Sequence, residues 1–369
     1  MTDENLKYKI GISLIPGVGP VTAKKLIAYT GSVENVFSEK KSQLTKIPGI
    51  GNLIANEIIN QKILQRAELE IEFIEKHNIT PLFYLDKEYP QRLLNCDDSP
   101  VMLFAKGHTD FNIAKIVSIV GTRNATQNGK DWCDQFVGRL VEKKHHALIV
   151  SGLAYGIDIA AHKAALKYNL PTVAVLGHGL DKVYPAVHRS AAVEIVKTGA
   201  LLTEFLSHAP VDPKYFLQRN RIVAGMADVT IVVESGVKGG ALVTADIASG
   251  YNKEVMAVPG RINDKYSAGC NWLIKTNKAA MIECLEDLEY LLNWDVATKT
   301  PQVQQNLLFT NLTADEELII AQLKNNDELF IDHLALECNL PVSKISAALL
   351  NLEFAGLIKS LPGKMYRLK

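Results

Sequence analysis

Six short apolar segments, separated by stretches of helical periodicity, predict an α/β fold for the centre of the chain. These segments are KIVSIVG, HALIVSG, TVAVLGHG, ALLTEF, VTIVVES and EVMAVPG, each bounded by glycine or a turn. Buried strands that alternate with helices form parallel sheets that are covered on both faces. The sequence therefore predicts a Rossmann-like, doubly wound and mostly parallel sheet at 81–295, which begins with a strand-containing segment around 83–107.

Two copies of one glycine-rich pattern predict a helical domain at 1–80. LIPGVGPVTAKKLIAY at 14–29 is echoed by KIPGIGNLIANEII at 46–59. In both copies Pro-Gly-x-Gly permits a tight turn that leaves backbone N–H groups exposed at a helix start. This helix-hairpin-helix (SAM-like) pattern can hold a DNA phosphate, and seven Lys and Arg against three Glu at 10–66 permit that role. The alternative is a packing module without a ligand.

A polar segment and three short helices predict a linker and a winged helix after the sheet. The linker, 296–312, is rich in Gln, Thr and Asn. Helices are expected at 314–324, 331–339 and 343–358. A closing ribbon follows them, so a winged helix is predicted at 313–369. This tail holds six Lys and Arg against eight Asp and Glu, and Lys344 is the single cation of its recognition helix. Phosphate contacts supply most non-specific DNA affinity, so a protein contact is the preferred interpretation of this module.

The composition excludes several classes of protein. Lys+Arg 40 and Asp+Glu 40 leave no net charge, which disfavours a protein that coats DNA by charge alone. No apolar run approaches the ~18 residues that span a bilayer. The polar start MTDENLKYKI is no secretory signal. The five dispersed Cys residues and nine His residues show no disulfide or metal-ligand pattern. We expect a cytoplasmic protein with reduced thiols, no membrane insertion, no metal and no cofactor.

Small residues follow most of the predicted strands, at the edge where open parallel sheets bind ligands. The candidate binding residues at these strand ends are Gly121, Thr122, Arg123, Ser151, Gly152, Ala154, Gly156, Asp158, Gly177, Gly179, Gly239 and Gly240. A row of such turns predicts a groove for several phosphates in succession, with Arg123 as a fixed cation. The GxGxxG fingerprint and the acid after the second strand, which a dinucleotide site needs, do not occur here.

Two pairs of polar residues have alternative interpretations. Arg219 and Arg221 lie two apart on a predicted helix and cannot share a face. One arginine is therefore expected to face the groove or an acidic partner, and the other to form a structural ion pair. Asp158 and His162, four apart, can meet on one helix face. They form either an acid–base pair or, as we prefer, a capping Asp beside a hydrogen-bonded His.

The motifs together resemble a known family. SIVGTRNAT, SGLAYGIDIAAHKAAL, TVAVLGHGLDKVYP, GALLTEF, QRNRIVAGM, VVES with GGALVTA, and VMAVPG occur in that order. They resemble the DprA (Smf) family, the DNA-processing proteins of natural transformation. The resemblance implies a non-enzymatic mediator that binds and protects single-stranded DNA, forms homodimers and loads RecA. It also implies that the turn from Gly121 to Arg123 and the loop from Ser151 to Asp158 line the DNA pocket. Arg219, Arg221 and the other strand-end residues are further candidate DNA contacts.

One segment departs from the family pattern, and a second class of protein offers an alternative. LSHAPVDPKYF has Lys214 as its single cation, which weakens the expectation of a basic contact after the TEF strand. The alternative is a Rossmann-like nucleotide phosphoribohydrolase (lysine-decarboxylase-like), in which a GG turn precedes a catalytic glutamate. Here Gly239 and Gly240 are followed by Asp246, a shorter acid at a different register. We therefore expect no enzyme.

Overall fold

The computed structural model describes residues 5–60, 62–294, 312–326, 329–361 and 364–368. The chain forms two compact units, Met1–Val296 and Ala297–Lys369. The helices of the first unit are α1 Leu6–Leu14, α2 Pro20–Thr30, α3 Val33–Ser38, α4 Lys41–Leu44, α5 Asn52–Ile59, α6 Lys62–Lys76, α7 Gln127–Glu142, α8 Ile157–Lys167, α9 Arg189–Thr198, α10 Pro213–Met226, α11 Gly240–Gly250, α12 Ala268–Lys275 and α13 Leu285–Leu292. Its strands are β1 Thr80–Phe83, β2 Met102–Gly107, β3 Lys115–Val120, β4 Ala147–Ser151, β5 Thr172–Val175, β6 Ala200–Thr203, β7 Val229–Val232, β8 Glu254–Ala257 and β9 Ala280–Met281.

The strands form one sheet in the order β1-β2-β6-β5-β4-β3-β7-β8-β9. All pairs from β6 to β9 are parallel, whereas β1 pairs antiparallel with β2, and β2 with β6. At the centre of the sheet, Ser118 of β3 lies opposite Val150 of β4 and Thr230 of β7. The predicted Rossmann-like, mostly parallel sheet is therefore confirmed, with an antiparallel edge built by the predicted first segment.

The order of the strands sets the position of the ligand site. The chain begins the parallel part at β3, adds β4, β5 and β6 on one side, and then crosses to β7, β8 and β9 on the other. Helices α7, α8 and α13 pack with one apolar face of the sheet, and α10, α11 and α12 with the other. The loops after β3 and β7 consequently diverge, and the crevice between them is the switch point where such sheets bind ligands.

The N-terminal helices contain two turns of the same geometry. Gly17 has a φ of +77° and Gly49 a φ of +90°. One residue later, the N–H of Val18 donates to Ile15 O (3.1 Å) and that of Ile50 to Ile47 O (3.0 Å). Each turn then starts a helix, α2 or α5, without a side-chain cap. The predicted tandem helix-hairpin-helix is present.

These helices share their core with the edge of the sheet. The cluster that holds Ile10, Leu26 and Ile58 also contains Phe83 of β1 and Phe104 of β2. Both strands carry apolar side chains on both of their faces, and the N-terminal helices cover one of these two faces. The helices and the sheet therefore belong to one compact unit, and the boundary placed at residue 80 stays a prediction.

The second unit is a small winged helix. It contains α14 Ala314–Asn325, β10 Leu329–Phe330, α15 Ile331–Glu337, α16 Val342–Phe354, β11 Ile358–Leu361 and β12 Met365–Leu368. Its sheet has the order β10-β12-β11, so the predicted ribbon gains a two-residue strand that the sequence pattern missed. Thr313 and Glu316 form a capping box at the start of α14. The predicted linker, except for Leu312, lies outside the described residues.

Other sequence-based expectations concern thiols, metals and membranes. All five cysteines are free, and Cys284 is the exposed one. Across the described ranges, no three His, Cys, Asp or Glu side chains are grouped in a way that would hold a metal ion. The helices in the same ranges include none that is both long and apolar enough to cross a membrane.

Candidate functional site

The carboxyl ends of β3 and β7 flank a cleft of about 290 Å³ at the switch point, which we call the crest cleft. It is lined by Val120, Gly121, Thr122, Arg123, Asn124, Ala154, Asp158, Pro213, Phe216, Leu217, Arg219, Asn220, Ser235, Gly239, Gly240, Ala241 and Thr244. Eight of the predicted site residues are among them: Gly121, Thr122, Arg123, Ala154, Asp158, Arg219, Gly239 and Gly240. The structure thus brings together turns that are up to about 120 residues apart in sequence.

Arg123 is the exposed cation of the crest cleft. Its turn is held by the N–H of Thr122, which donates to Glu234 O (2.7 Å). The N–H of Asn124 donates to Thr122 Oγ1 (3.2 Å). The Arg123 guanidinium makes no hydrogen bond or ion pair within the described part of the chain. A fixed backbone therefore presents a free, permanently charged group to a ligand.

Arg219 and Asp158 form a buried pair of opposite charges beneath this turn. Arg219 is 4% exposed and Asp158 is 7% exposed. Burial raises the pKa of the Asp158 carboxyl, while the charge of Arg219 and the backbone amides of Ala154 and Gly152 oppose that rise. Burial also lowers the pKa of Arg219 to about 10, so the guanidinium stays charged at neutral pH. The two charges attract each other across the cleft without a direct ion pair, and the Arg219 guanidinium donates its hydrogen bond to Val175 O.

Two glycines allow the loop between β4 and α8 to approach its neighbours closely. A Cβ on Gly152 would lie 2.0 Å from Arg219 Nη1. Gly156 has a φ of +77°, and a Cβ there would lie 2.1 Å from Thr122 O. The N–H of Ile157 donates to that same carbonyl oxygen (3.2 Å). The two predicted DNA loops therefore brace each other and hold Arg123 in place.

His162 does not pair with Asp158. Its Nδ1 lies 2.7 Å from Thr172 Oγ1. The Thr172 hydroxyl donates to Ile149 O (2.8 Å), so Nδ1 carries the imidazole proton. Burial lowers the pKa of His162 to about 3, with a smaller contribution from the nearby charge of Arg219. The acid–base interpretation is therefore wrong. The preferred interpretation holds for the histidine. Asp158 does not cap α8, which begins at Ile157 after Gly156 and has no side-chain cap.

Several predicted site residues support the cleft from behind or lie away from it. Arg221 is 8% exposed, pairs with Glu204 and donates to Asp98 O (2.6 Å), so it is the arginine of the structural ion pair. The buried Ser151 hydroxyl donates to Ile119 O (2.6 Å). Gly177 packs under Phe216, and Gly179 under Leu206 O. These four residues do not line the crest cleft, and their direct contact with DNA is not part of our proposal.

The carboxylate of Glu234 occupies the N-terminus of α7. Glu234, just after β7, accepts hydrogen bonds from the N–H of Thr126 (2.9 Å) and from its hydroxyl. A Cβ on Gly129 would lie 2.6 Å from the Glu234 carboxyl carbon, so the carboxylate rests directly on the helix. In dinucleotide-binding sheets the pyrophosphate takes this position. The geometry thus agrees with the sequence argument against a dinucleotide.

Sequence reasoning missed nine residues of the crest cleft, among them the polar or aromatic side chains of Asn124, Phe216, Asn220 and Ser235. Phe216 and Asn220 lie four apart on α10, so helical spacing from Arg219 was the available signal. The ring of Tyr184 lies 5.6 Å from that of Phe216, and Tyr184 is 48% exposed. An aromatic edge therefore adjoins the phosphate turns.

A neighbouring cleft of about 690 Å³ extends the charged surface between α7 and α8. Arg123, Tyr155, Lys130 and Lys163 all line it. The two lysine side chains are exposed and make no ion pair within the described residues. Tyr155 is 47% exposed, and its ring packs edge-on against His188 at 5.0 Å. Lys163 lies within the motif SGLAYGIDIAAHKAAL, whereas Lys130 belongs to none of the motifs, and the packing of the two helices brings both lysines to Arg123.

Asp246, the acid that a phosphoribohydrolase would need after the two glycines, lies outside the crest cleft. The Asp246 side chain is 54% exposed and pairs with Lys278 (3.0 Å). It does not line the crest cleft. Lys214, the single cation after the TEF strand, is paired with Asp212 (3.2 Å). Asp246 therefore lacks the position of a catalytic acid beside the two glycines.

The fold defines a class: a protein with a Rossmann-like sheet, a helix-hairpin-helix before the sheet in sequence and a winged helix after it. Comparison with protein families gives the same three parts. Residues 80–293 match DNA recombination-mediator protein A, 306–364 match the DprA winged helix domain, and 12–61 match a SAM-like helix-hairpin-helix tandem. The chain belongs to the DNA recombination-mediator protein A (DprA/Smf) family.

Individual relatives are similar in sequence to this protein over most of the chain. Protein Smf of Synechocystis sp. is 30% identical over 402 residues and covers 100% of both chains. Protein Smf of Escherichia coli is 36% identical over 79% of this chain and 78% of its own. The structure of DNA processing protein A from Streptococcus pneumoniae superposes with a TM-score of 0.67 at 29% identity, over 77% of this chain and 97% of that one. The structure of a Helicobacter pylori DNA processing protein A, solved to explain its single-stranded DNA binding mode, superposes with a TM-score of 0.53 at 29% identity. The superposition covers 59% of this chain and 96% of that one.

Proposed function

We propose that this protein binds single-stranded DNA through backbone phosphates at the crest cleft. The observation that carries this proposal is the unpaired Arg123, held in a braced turn beside the uncapped start of α11 at Gly240. Backbone N–H groups at a helix start and an arginine both favour a phosphate. The Helicobacter pylori relative binds single-stranded DNA, which supports the same ligand here.

A flexible single strand fits this site better than a duplex. The phosphate-binding turns are closely spaced and recessed between α10 and the loop after β4. A single strand can follow such turns and stack bases on Tyr155, Tyr184 or Phe216, whereas a stiff duplex touches only the rim. No element at the cleft has the form that reads a major groove, so sequence preference through base edges is expected to be slight there.

We also propose that the bound strand is protected and passed to RecA during natural transformation, without chemistry at the crest cleft. Asp158, the carboxylate of the cleft, is buried, and Asp246 lies outside the cleft. Neither is placed to act on a phosphate or a glycosidic bond. A phosphoribohydrolase is disfavoured for that reason.

The homodimer is proposed at the β9 edge of the sheet. β9 pairs only with β8 among the described residues. Beside it, Met281 is 49% exposed and Trp272 is 40% exposed. An open strand edge with exposed apolar side chains favours pairing with a second copy. Two copies would carry two crest clefts, which suits delivery of one strand to a RecA filament.

The direct test compares matched single- and double-stranded oligonucleotides over a range of salt concentrations. We expect tighter binding of single strands, strong salt dependence, and no requirement for metal or nucleotide. RecA assembly on the coated strand is followed in the same samples. Equal affinity for both forms at moderate salt would refute the cleft model, and hydrolysis of nucleotide or DNA that is lost in Asp246→Asn would establish the enzyme.

A further inference from the structure

A second cleft, of about 710 Å³, lies where the N-terminal helices face the segment between β6 and α10, and we call it the hairpin cleft. Its wall includes Val18, Gly19 and Pro20, from the first Pro-Gly-x-Gly turn. The second such turn does not line it. The volume lies within the range of about 300–1,000 Å³ that is usual for sites of small organic groups.

Aromatic rings line the hairpin cleft in two pairs. The rings of Phe205 and Tyr215 lie 4.5 Å apart at 31°. Phe73 and His208 meet edge to face at 6.2 Å. All four side chains line the cleft and none of the four is buried. Flat rings around a recess favour a flat ligand that stacks on them.

A buried carboxylate supplies the polar group of this cleft. The Glu204 side chain is 10% exposed, and its Oε2 accepts from Arg221. Its second oxygen, Oε1, has no partner in hydrogen-bonding geometry within the described part of the chain. Burial raises the pKa of the Glu204 carboxyl, and the charge of Arg221 and the exposed Gln218 amide beside the carboxylate oppose that rise. A buried acceptor without a partner calls for an N–H group, which a ligand could supply once the side chain beside it moves.

One helix separates the two clefts. Phe216 and Asn220 of α10 line the crest cleft. Tyr215 and Gln218, from the same two turns, line the hairpin cleft. The distance between them is the width of one helix, about 10 Å. A nucleotide whose phosphate lies in the crest cleft is therefore close enough for a neighbouring base of the strand to enter the hairpin cleft.

We infer that the hairpin cleft binds an unpaired base of the strand whose backbone lies in the crest cleft. The base stacks on Phe205 and Tyr215, and its exocyclic amine donates to Glu204 Oε1 once the flexible Gln218 amide turns aside. Cytosine, adenine and guanine carry such an amine, whereas thymine does not. This inference rests on the proposed single-stranded DNA function, and it gives the first helix-hairpin-helix a role in forming a base site.

Photocrosslinking locates the base directly. An oligonucleotide that carries 5-iododeoxycytidine is bound to the full chain, irradiated, and the modified residue is identified by mass spectrometry. We expect modification of Phe205, Tyr215 or Phe73. Modification confined to Tyr155, Tyr184 or Phe216 would place the bases at the crest cleft alone and overturn the inference.

A blocking variant tests the preference for bases with an amine. Leu69 lines the hairpin cleft and is 59% exposed, so Leu69→Trp fills the recess from a position that tolerates a large side chain. Leu53, 83% exposed on α5 and outside the cleft, gives Leu53→Trp as the control. We expect wild type and the control to prefer oligo-dC over oligo-dT by about tenfold, and Leu69→Trp to lose this preference.

The outcomes separate the base site from the function on which it rests. If the wild type shows no dC preference, or Leu69→Trp keeps it, the base site is wrong although single-stranded DNA still binds. If neither oligonucleotide binds at any salt concentration, the proposed function itself fails.

Discussion

At the scale of single residues, burial gives the arginines of this protein opposite roles. Arg123 is exposed and unpaired, whereas Arg219 is buried under the electrostatic influence of Asp158, and Arg221 is buried in an ion pair with Glu204. A buried charge that has a partner is structural, because it cannot leave that partner without a large desolvation cost. Of these three, Arg123 is therefore the arginine that is free to neutralise a phosphate.

Removal of one member of the buried pair should destabilise the protein. We expect Arg219→Leu to lower the free energy of unfolding by about 3 kcal/mol or more, because Asp158 is left buried without a counter-charge. Denaturant titration measures this loss. The double variant Arg219→Leu with Asp158→Asn should recover part of it. Equal losses in the single and double variants would show that the two charges are not coupled.

The buried His162 predicts a specific dependence of stability on pH. Its pKa is about 3 in the folded protein and 6.5 as a free side chain. Between these values the unfolded chain binds a proton that the folded chain does not, so stability falls as the pH drops through this window. His162→Gln should reduce that slope by about 1.4 kcal/mol per pH unit. Denaturant titrations at several pH values measure it, with the exposed His146→Gln as control. Parallel profiles for wild type and His162→Gln would contradict the assignment.

At the scale of elements, the loop between β4 and α8 should depend on one glycine. Gly156→Ala forces a side chain into left-handed backbone, which costs about 1–2 kcal/mol, and also drives a Cβ against Thr122 O. We expect a lower Tm and weaker DNA binding, because the turn of Arg123 is displaced. Gly250→Ala, at the end of α11 with no atom near its Cβ, is the matched control. DNA affinity equal to wild type in Gly156→Ala would show that the two loops need not brace each other.

The elements also show how far the sequence predicts this structure. Six of the seven parallel strands were recognisable because each is a continuous apolar run, and the hairpin turns because Pro-Gly-x-Gly repeats. The strands β9 and β10 have two residues each, too few for any periodic pattern. Spacing showed that Arg219 and Arg221 point apart, but not which one faces the cleft. That assignment depends on Asp158 and Glu204, which do not lie on the helix of the two arginines. The hairpin cleft could not be predicted either, because its walls come from segments that are far apart in sequence.

At the scale of the whole molecule, the two compact units should divide the work unequally. The exposed positions of α16 include Leu350 and Phe354, and Lys344 is its single cation. We expect a chain that ends at Val296 to keep most of the affinity for single-stranded DNA, because the phosphate contacts lie in the first unit. Binding isotherms of the two chains measure this. A collapse of affinity in a truncated chain that still unfolds cooperatively would make the winged helix a DNA-binding module.

The central claim is that Arg123 neutralises a phosphate of a single strand, and its most direct test is the salt dependence of binding by Arg123→Ala. The slope of log affinity against log salt is measured beside wild type and Lys359→Ala, which removes an exposed cation of the winged helix. We predict weaker binding by Arg123→Ala and a slope that is smaller by about 0.7 to 1, the value for one phosphate contact. Lys359→Ala should match the wild type. An unchanged affinity and slope in a folded Arg123→Ala protein would contradict the account.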